Sequence, residues 1–465
     1  MAQRAQLSKT ALVDLAESMM GEVITPEHAE YDATRKVWNG DIDRRPALIA
    51  RCASVADVQV ALAFARKSGL PVAIRGGGHS FPGHSVVDDG IVIDLRQMNQ
   101  VVVDPSGRRA TVGGGAVWSE VDGATVPHGL AVTGGHVTHT GVGGLTLGGG
   151  VGHLMRSLGL TADNLLSAEI VTADGQVRKT SATENDDLFW AIRGGGGNFG
   201  IATKFELQLH PIGALLFGGL VFYAPEKGPE LMRRYNDFCK NCPDQVTTIF
   251  AYLHAPPFPF VPEPLHFKPG YAVAAVGTDQ AIAEPVLKPL RAFGPPLFDL
   301  IGPMPYPVIQ GLFDPAFPPG TKAYIKSHYF EEYSADVIAA VHANTITMPS
   351  GGSQMYNLQL GGAVARVPEG ATAFGGRSAG FLGMFVGVWD DDSKKEACVA
   401  WSRGFSDALL PLSLGGTYLN LADAETEDRL ATSYGREKFA KLARIKAKYD
   451  PNNVFRLNQN IKPHG

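Results

Sequence analysis

The sequence predicts an α+β fold in two or three domains, on three observations. Short apolar runs of strand length alternate with amphipathic helical stretches along the 465 residues. Glycine is abundant, 55 residues in all, and is concentrated in the first 200 or so. From about residue 210 the glycine clusters vanish and prolines crowd together instead, at Ala255–Pro264, Pro295–Pro307 and Pro315–Pro319. That change of texture marks a second α+β unit with long loops, which are frequent sites of substrate contact.

In chain order, residues 8–20 read as a first helix. Ser54 caps a second, with Asp57 three residues on and Val55, Val58, Leu62 and Phe64 on its apolar face. Gly69 stops it and a strand Val72–Ile74 follows, a βαβ-like opening. Ile91–Leu95 and Gln100–Val103 are short apolar runs and hence strands, and Asp104-Pro105-Ser106-Gly107 is a turn. Ala168–Ser181 reads as strand, Asp174-Gly175 turn, strand. Asp186–Arg193 is a helix with acids in its first turn and glycine after its last, and Ile201–Leu209 is the strand that ends the glycine-rich portion. Near the C-terminus a helix from about Glu427 to Tyr449 is stopped by Asp450-Pro451, and Asn453–Ile461 follows it. No internal repeat or low-complexity linker interrupts the chain.

Composition excludes several classes. A formal net charge of −5 without a basic run argues against nucleic acid or an anionic membrane as partner. No stretch reaches ~18 uninterrupted apolar residues, so no membrane span is expected. Met1–Met20 has neither an apolar core nor a small-residue cleavage site; no signal peptide is expected, and a cytoplasmic location is the default. Four cysteines form no disulfide framework in a chain this long. Cys239 and Cys242 have CxxC spacing but no second pair, in helix-like surroundings.

The stretch Val72-Ala73-Ile74-Arg75-Gly76-Gly77-Gly78-His79-Ser80 runs from a strand straight into three glycines. Such a run is either a plain turn or a cradle in which several N–H groups point at one phosphate. Two further clusters favour the cradle, Gly141–Gly152 and Gly194–Gly200. Gly195-Gly196-Gly197-Asn198-Phe199-Gly200 satisfies GxGxxG, but a helix precedes it and a strand follows, the reverse of a Rossmann context. No GxxxxGK[ST] and no GxSxG occurs. His136 and His139 lack a third ligand, so no metal is expected. Backbone cradling of a pyrophosphate needs no lysine and suits an acidic chain.

These residues resemble a known family. Arg75–Ser80, Gly141–Gly150, Asp163-Asn164, Asp187–Gly195 and Gly197–Gly200 look like the FAD domain of the vanillyl-alcohol-oxidase (PCMH) type. Tyr449-Asp450-Pro451-Asn452-Asn453-Val454-Phe455 is similar to the C-terminal signature of its berberine-bridge-enzyme-like branch. The likeness covers roughly 45–210 and 410–465, in family order. It implies a two-part FAD domain, 1–210 and 411–465, with a substrate domain at 211–410 built on an antiparallel sheet flanked by helices.

The resemblance implies FAD on Arg75, Gly76, Gly77, Gly78, His79 and Ser80, with Gly83 and His84 beyond them. It extends the cofactor contacts to Gly141, Gly144, Thr146, Gly148, Gly149, Gly150 and Gly152. Asp163, Asn164, Val171, Gly200, Ile201, Asn458 and Asn460 complete them. His79 matches the histidine that bonds the flavin 8α-methyl carbon. Val137 stands where many members carry a second, cysteinyl link, so a single tether is expected. Tyr418-Leu419-Asn420 matches the family's Tyr-x-Asn beside the flavin: Tyr418 as base or orienting group, or else as packing on the last strand, and Asn420 as a hydrogen-bonding group. His139 is an acid, a base or a structural partner at the ring's edge. Tyr356 and Gln359 lie on an alternating strand that places one of the two over the flavin.

The implied activity is an oxidase. Hydride passes from a small substrate to flavin N5, a side-chain base takes the O–H or N–H proton, and O₂ is reduced to H₂O₂. A secondary metabolite, phenol, alcohol, sugar or cyclic amine fits as substrate, with bacterial natural-product tailoring favoured. The alternatives are a dehydrogenase with another acceptor, an oxygenase of a polyketide-like intermediate, and a flavoprotein that binds a metabolite without turnover.

Overall fold

A computed structural model describes residues 7–257 and 261–464. Three residues of the proline-rich stretch at 255–264 and the first six of the chain lie outside them.

The N-terminal segment builds a four-stranded sheet in the order Glu22–Ile24, Leu48–Arg51, Ile91–Asp94, Val72–Arg75. Its last three strands are parallel and almost wholly buried, which is why they read as continuous apolar runs. Helix Val55–Ser68 crosses between them. The Ser54 hydroxyl accepts from Asp57 N–H at 3.2 Å, and Gly69 ends the helix at φ +66°. The Asp57 carboxylate does more than the capping pattern foresees, accepting from Ala53, Met20 and Gly21 N–H at 2.8–3.0 Å and so fastening the N-terminal turn to the helix. The first helix is shorter than expected, Lys9–Glu17, and gives way to the edge strand.

A five-stranded antiparallel sheet follows, ordered Val101–Asp104, Arg109–Gly113, Ile201–Gln208, Leu165–Val171, Val177–Ser181. Both of its tight turns are held by aspartate: Asp104 accepts from Gly107 N–H at 3.0 Å and Asp174 from Gln176 N–H at 3.1 Å. Helix Asp186–Ile192 precedes the GxGxxG segment and strand Ile201–Gln208 follows it.

From Leu216 to Trp389 the chain forms an eight-stranded antiparallel sheet. Side-chain alternation gives it two apolar faces. One carries Val221, Phe250, Val273 and Phe385 against Leu231, Leu287, Val341 and Phe405 of the covering helices. The other carries Phe222, Ile249, Tyr356 and Met384 against Trp38, Val151, Met155 and Tyr418, residues that lie outside this sheet region in sequence.

The C-terminal helix expected over Glu427–Tyr449 is two helices, Glu427–Tyr434 and Arg436–Tyr449. Gly435 between them sits at φ +85°, ψ 135°, where a helix cannot continue. Among the described residues after 410 no strand occurs, so the strand expected there, and Tyr418 on it, are corrected: Tyr418 opens the 3-10 turn Leu419–Leu421. Asp450 ends the last helix by accepting from Val454 and Phe455 N–H, both at 2.8 Å, and pairs with Lys446 at 2.7 Å in complete burial. Lys446 donates onward to Asn198 and Phe455 carbonyls, tying the tail to the GxGxxG turn. The Asp-Pro signature is therefore a structural lock.

Candidate active site

Strand Val72–Arg75 ends at Gly76, and the five N–H groups from Gly76 to Ser80 find no acceptor among the described residues. Gly78 carbonyl holds the loop by accepting from Trp38 N–H at 3.1 Å. Gly77 and Gly141 pass each other backbone to backbone: a Cβ on either would lie 2.3 Å from the other's nitrogen. These two glycines serve the crossing of two loops. Gly144 faces open space, with nothing within 4 Å of where its Cβ would be. Arg75 is turned away from the loop, and its guanidinium donates to Thr34 and Arg35 carbonyls. Burial lowers its pKa to about 10, so it stays charged at neutral pH. Ser80 accepts from His84 N–H at 3.1 Å, and Gly83 carbonyl receives Arg44 at 2.6 Å. His84 is half-buried, its Nε2 is covered and has no partner among the described residues, and desolvation lowers its pKa to about 4.

The second cluster forms the short helix Val142–Leu147 and the turns after it. Thr146 Oγ1 is buried without a partner among the described residues. Asn420 donates to Gly144 and Leu145 carbonyls at 3.3 and 3.2 Å and to Tyr418 Oη at 2.9 Å, and its side chain lies against Gly148. Tyr418 Oη also accepts from Gly150 N–H at 3.0 Å and Val151 N–H at 3.4 Å. Burial raises the Tyr418 pKa and these three donors oppose the rise. Gly149 lies against Phe374, and Gly152 against the Gly134 carbonyl.

His79 and His139 meet directly, Nε2 to Nδ1, at 2.7 Å. Burial, with the neighbouring His139, lowers the His79 pKa to about 3, and burial also lowers His139. The Trp38 indole stacks on His79 at 5.3 Å and 19°. Around them stand Phe81 and Phe317, with Tyr356 6.0 Å from Phe317 and edge-on to Phe313. Val137 packs into the same apolar cluster as Tyr356, Tyr418 and Trp38. Gln359 is separated from Tyr356 by three positions and faces the other side, accepting from Thr248 at 2.7 Å.

The remaining expected contacts are committed to protein groups to differing degrees. Asp163 makes a buried two-point ion pair with Arg377 at 2.6 and 3.1 Å, and Asn164 is held by Leu158 and Leu160 carbonyls and by His210. Val171 and Ile201 are register partners with side chains in the core, and Gly200 packs on Ile170. Asn458 and Asn460 each keep a buried Oδ1 that has no partner among the described residues. Sequence reasoning missed Trp38, Arg377 and Asp314; the last receives Thr138 N–H at 2.8 Å and Thr138 Oγ1 as well. None of the three sits in a motif, and only the folded chain brings them to the site.

A model of the FAD binding domain matches residues 46–181, and one described as berberine and berberine like matches 417–462. An FAD-linked oxidoreductase of Dictyostelium discoideum is 32% identical over 456 residues, 97% of this chain and 96% of its own. The chain belongs to the berberine-bridge-like family of FAD-linked oxidoreductases. The (R)-6-hydroxynicotine oxidase of Paenarthrobacter nicotinovorans is 32% identical over 457 residues, covering 96% of this chain and 98% of the relative. The crystal structure of 6-hydroxy-D-nicotine oxidase from Arthrobacter nicotinovorans superposes with a TM-score of 0.87 at 30% identity, over 96% of this chain and 99% of that one.

This berberine-bridge-like protein is an enzyme, an FAD-dependent oxidase that takes a small-molecule substrate and O₂. Its donor set fits the cofactor. The free N–H groups of residues 76–80 and the open face at Gly144 suit a pyrophosphate, which needs main-chain donors and no Cβ in the way. Thr146 Oγ1 and the orphaned oxygens of Asn458 and Asn460 suit the hydroxyl and amino groups of the rest of FAD. Among the described residues no helix is long and apolar enough to cross a membrane.

Proposed function

We propose that this oxidase carries FAD on a single covalent tether to His79 and oxidises a small, largely apolar metabolite at a carbon bearing O–H or N–H. Bound FAD supplies the hydride acceptor and passes the electrons on to O₂. The observation that carries the reading is the surroundings of His79: a neutral imidazole beside His139, under Trp38, in a neighbourhood of Phe81, Phe313, Phe317 and Tyr356. A neutral imidazole keeps a lone pair for bonding carbon, and aromatic walls favour a substrate with a flat apolar face over a carbohydrate with hydroxyls on every side. Residues 1–210 and 411–465 hold the cofactor, and 211–410 supply the aromatic wall from Phe313, Phe317 and Tyr356. With valine at 137 there is no nucleophile for a second tether.

Tyr418 takes the substrate proton. Tyr418 Oη receives three N–H groups, which stabilise negative charge on the oxygen and offset part of the rise in pKa that burial causes. Asn420 holds Tyr418 and the helix Val142–Leu147 in one frame.

The test is acid precipitation of the purified protein. A yellow pellet, colourless in His79→Ala, is the expected result, followed by H₂O₂ release when aromatic or heterocyclic alcohols and amines are screened. Colour left in the supernatant of the wild type would remove the tether from this reading. H₂O₂ released only with oligosaccharides would remove the substrate class.

A further inference from the structure

We propose that His136 and His153 are the specificity-determining pair of this oxidase: together they bind an uncharged group on the substrate's flat ring that donates and accepts a hydrogen bond at once, a hydroxyl or a lactam. The proposal deepens the reading above and rests on its aromatic substrate class. The two rings meet edge to face, with centroids 4.7 Å apart and planes at 84°. They come together because residue 152 is glycine. A Cβ there would lie 1.6 Å from the Gly134 carbonyl oxygen, so only glycine lets the 134–136 and 152–153 segments touch.

Three observations put the pair at the substrate's end of the site. His153 stacks on Phe313 at 5.8 Å and 7°, and Phe313 stands edge-on to Tyr356 at 5.9 Å, which continues the aromatic wall. Val151, two residues before His153, gives its N–H to Tyr418 Oη at 3.4 Å. Val137, directly after His136, packs in the cluster that holds Trp38, Tyr356 and Tyr418.

Their hydrogen bonding sets these two rings apart. The rings of His79, His210 and His328 each have a partner, whereas neither His136 nor His153 makes a hydrogen bond among the described residues, and Nε2 of each is covered. Covered donors and acceptors left unpaired are costly, and two such rings side by side are the arrangement expected where a ligand supplies the missing partners. No charged side chain acts on either ring. Burial lowers the His136 pKa to about 4, and burial with the neighbouring His136 lowers that of His153, so both stay neutral. A neutral imidazole has one N–H and one lone pair. A hydroxyl or a lactam receives the N–H of one ring and donates to the lone pair of the other. A carboxylate only accepts and an ammonium only donates, and each would enter as a charge without a counter-charge.

The experiment titrates ring ligands into the flavin-loaded full-length protein and reads dissociation constants from the change in flavin absorbance, which needs no turnover. The probes are phenol against anisole and 2-pyridone against 1-methyl-2-pyridone, where a methyl group removes the proton, with benzoate as the charged control. The wild type is expected to bind phenol or 2-pyridone about 10-fold more tightly than its methylated counterpart, and more tightly than benzoate. The pair that shows the difference tells hydroxyl from lactam. His153→Phe, which keeps an aromatic ring against Phe313, and His136→Leu are each expected to abolish the preference at unchanged flavin content. His153→Gln, which has a donor and an acceptor, is expected to keep it. Equal binding within both pairs in the wild type overturns the proposal. So do a preference that persists in His153→Phe and His136→Leu, benzoate as the tightest ligand, and loss of flavin from all three variants, the mark of a packing role. No response to any ring ligand overturns the aromatic reading itself, and this proposal with it.

Discussion

Tyr418 shows what one side chain is asked to do at this site. It is 3% exposed, its ring packs edge-on to Phe374 at 5.9 Å, and its hydroxyl oxygen collects N–H groups from Gly150, Val151 and Asn420. Phenylalanine keeps the ring and removes the oxygen. Tyr418→Phe is expected to retain a coloured acid pellet while kcat/KM for H₂O₂ release falls about 100-fold, the usual worth of a positioned proton acceptor. The orphaned N–H groups add about 1–3 kcal/mol of lost stability, read as a lower urea midpoint. A variant with normal turnover and only the stability loss would make Tyr418 a strut for the 150–151 turn.

At the scale of elements, the glycine loops are two devices that look alike in sequence. Gly77 and Gly141 let two backbones cross; Gly144 leaves a face of helix Val142–Leu147 bare. The same substitution separates them. Gly77→Ala pushes a methyl to 2.3 Å from Gly141 nitrogen, a contact only backbone movement relieves. It is expected to destabilise the protein by about 1–3 kcal/mol with or without cofactor. Gly144→Ala meets nothing and gains helix propensity, about 1 kcal/mol; the flavin-free protein is expected to be as stable as wild type or more so, while flavin content on purification drops. Thermal melts with and without added FAD read both effects.

At the scale of the whole molecule, several histidines are buried in the neutral form. His136 and His153 meet at 4.7 Å, each with an Nε2 that has no partner among the described residues, and burial depresses the His136 pKa to about 4 and that of His153 well below its ordinary value. Above about pH 6.5 both states of the chain hold these rings neutral and nothing is lost. As pH falls from there towards 4 the unfolded chain binds protons the folded chain refuses. Stability therefore drops by up to about 1.4 kcal/mol per pH unit for each such ring. Denaturant midpoints are expected to fall steeply between pH 6.5 and 5, and His136→Asn is expected to flatten the slope. An unchanged slope in that variant would mean that His136 does not carry the effect.

Whatever is local was legible from the residues alone. The Ser54 cap, the Gly69 stop, the aspartate turns at 104 and 174 and the helix–GxGxxG–strand order each depend on neighbours a few positions apart, and the folded chain has them where spacing puts them. One helix was read where Gly435 makes two, because a single glycine is tolerated in many helices and only its φ of +85° shows that this one is a break. The glycine clusters and the Asp450-Pro451 signature pointed to the flavin family, yet not to which glycine touches backbone and which faces open space. Trp38 over His79, Asp314 under Thr138 and Arg377 on Asp163 come from segments up to 279 residues apart in hydrogen-bonded pairs such as Trp38 with Phe317. No periodicity or motif encodes contacts at that separation. They exist because the eight-stranded sheet buries one apolar face on the glycine-rich part, and that burial decides which side chains surround His79 and His139.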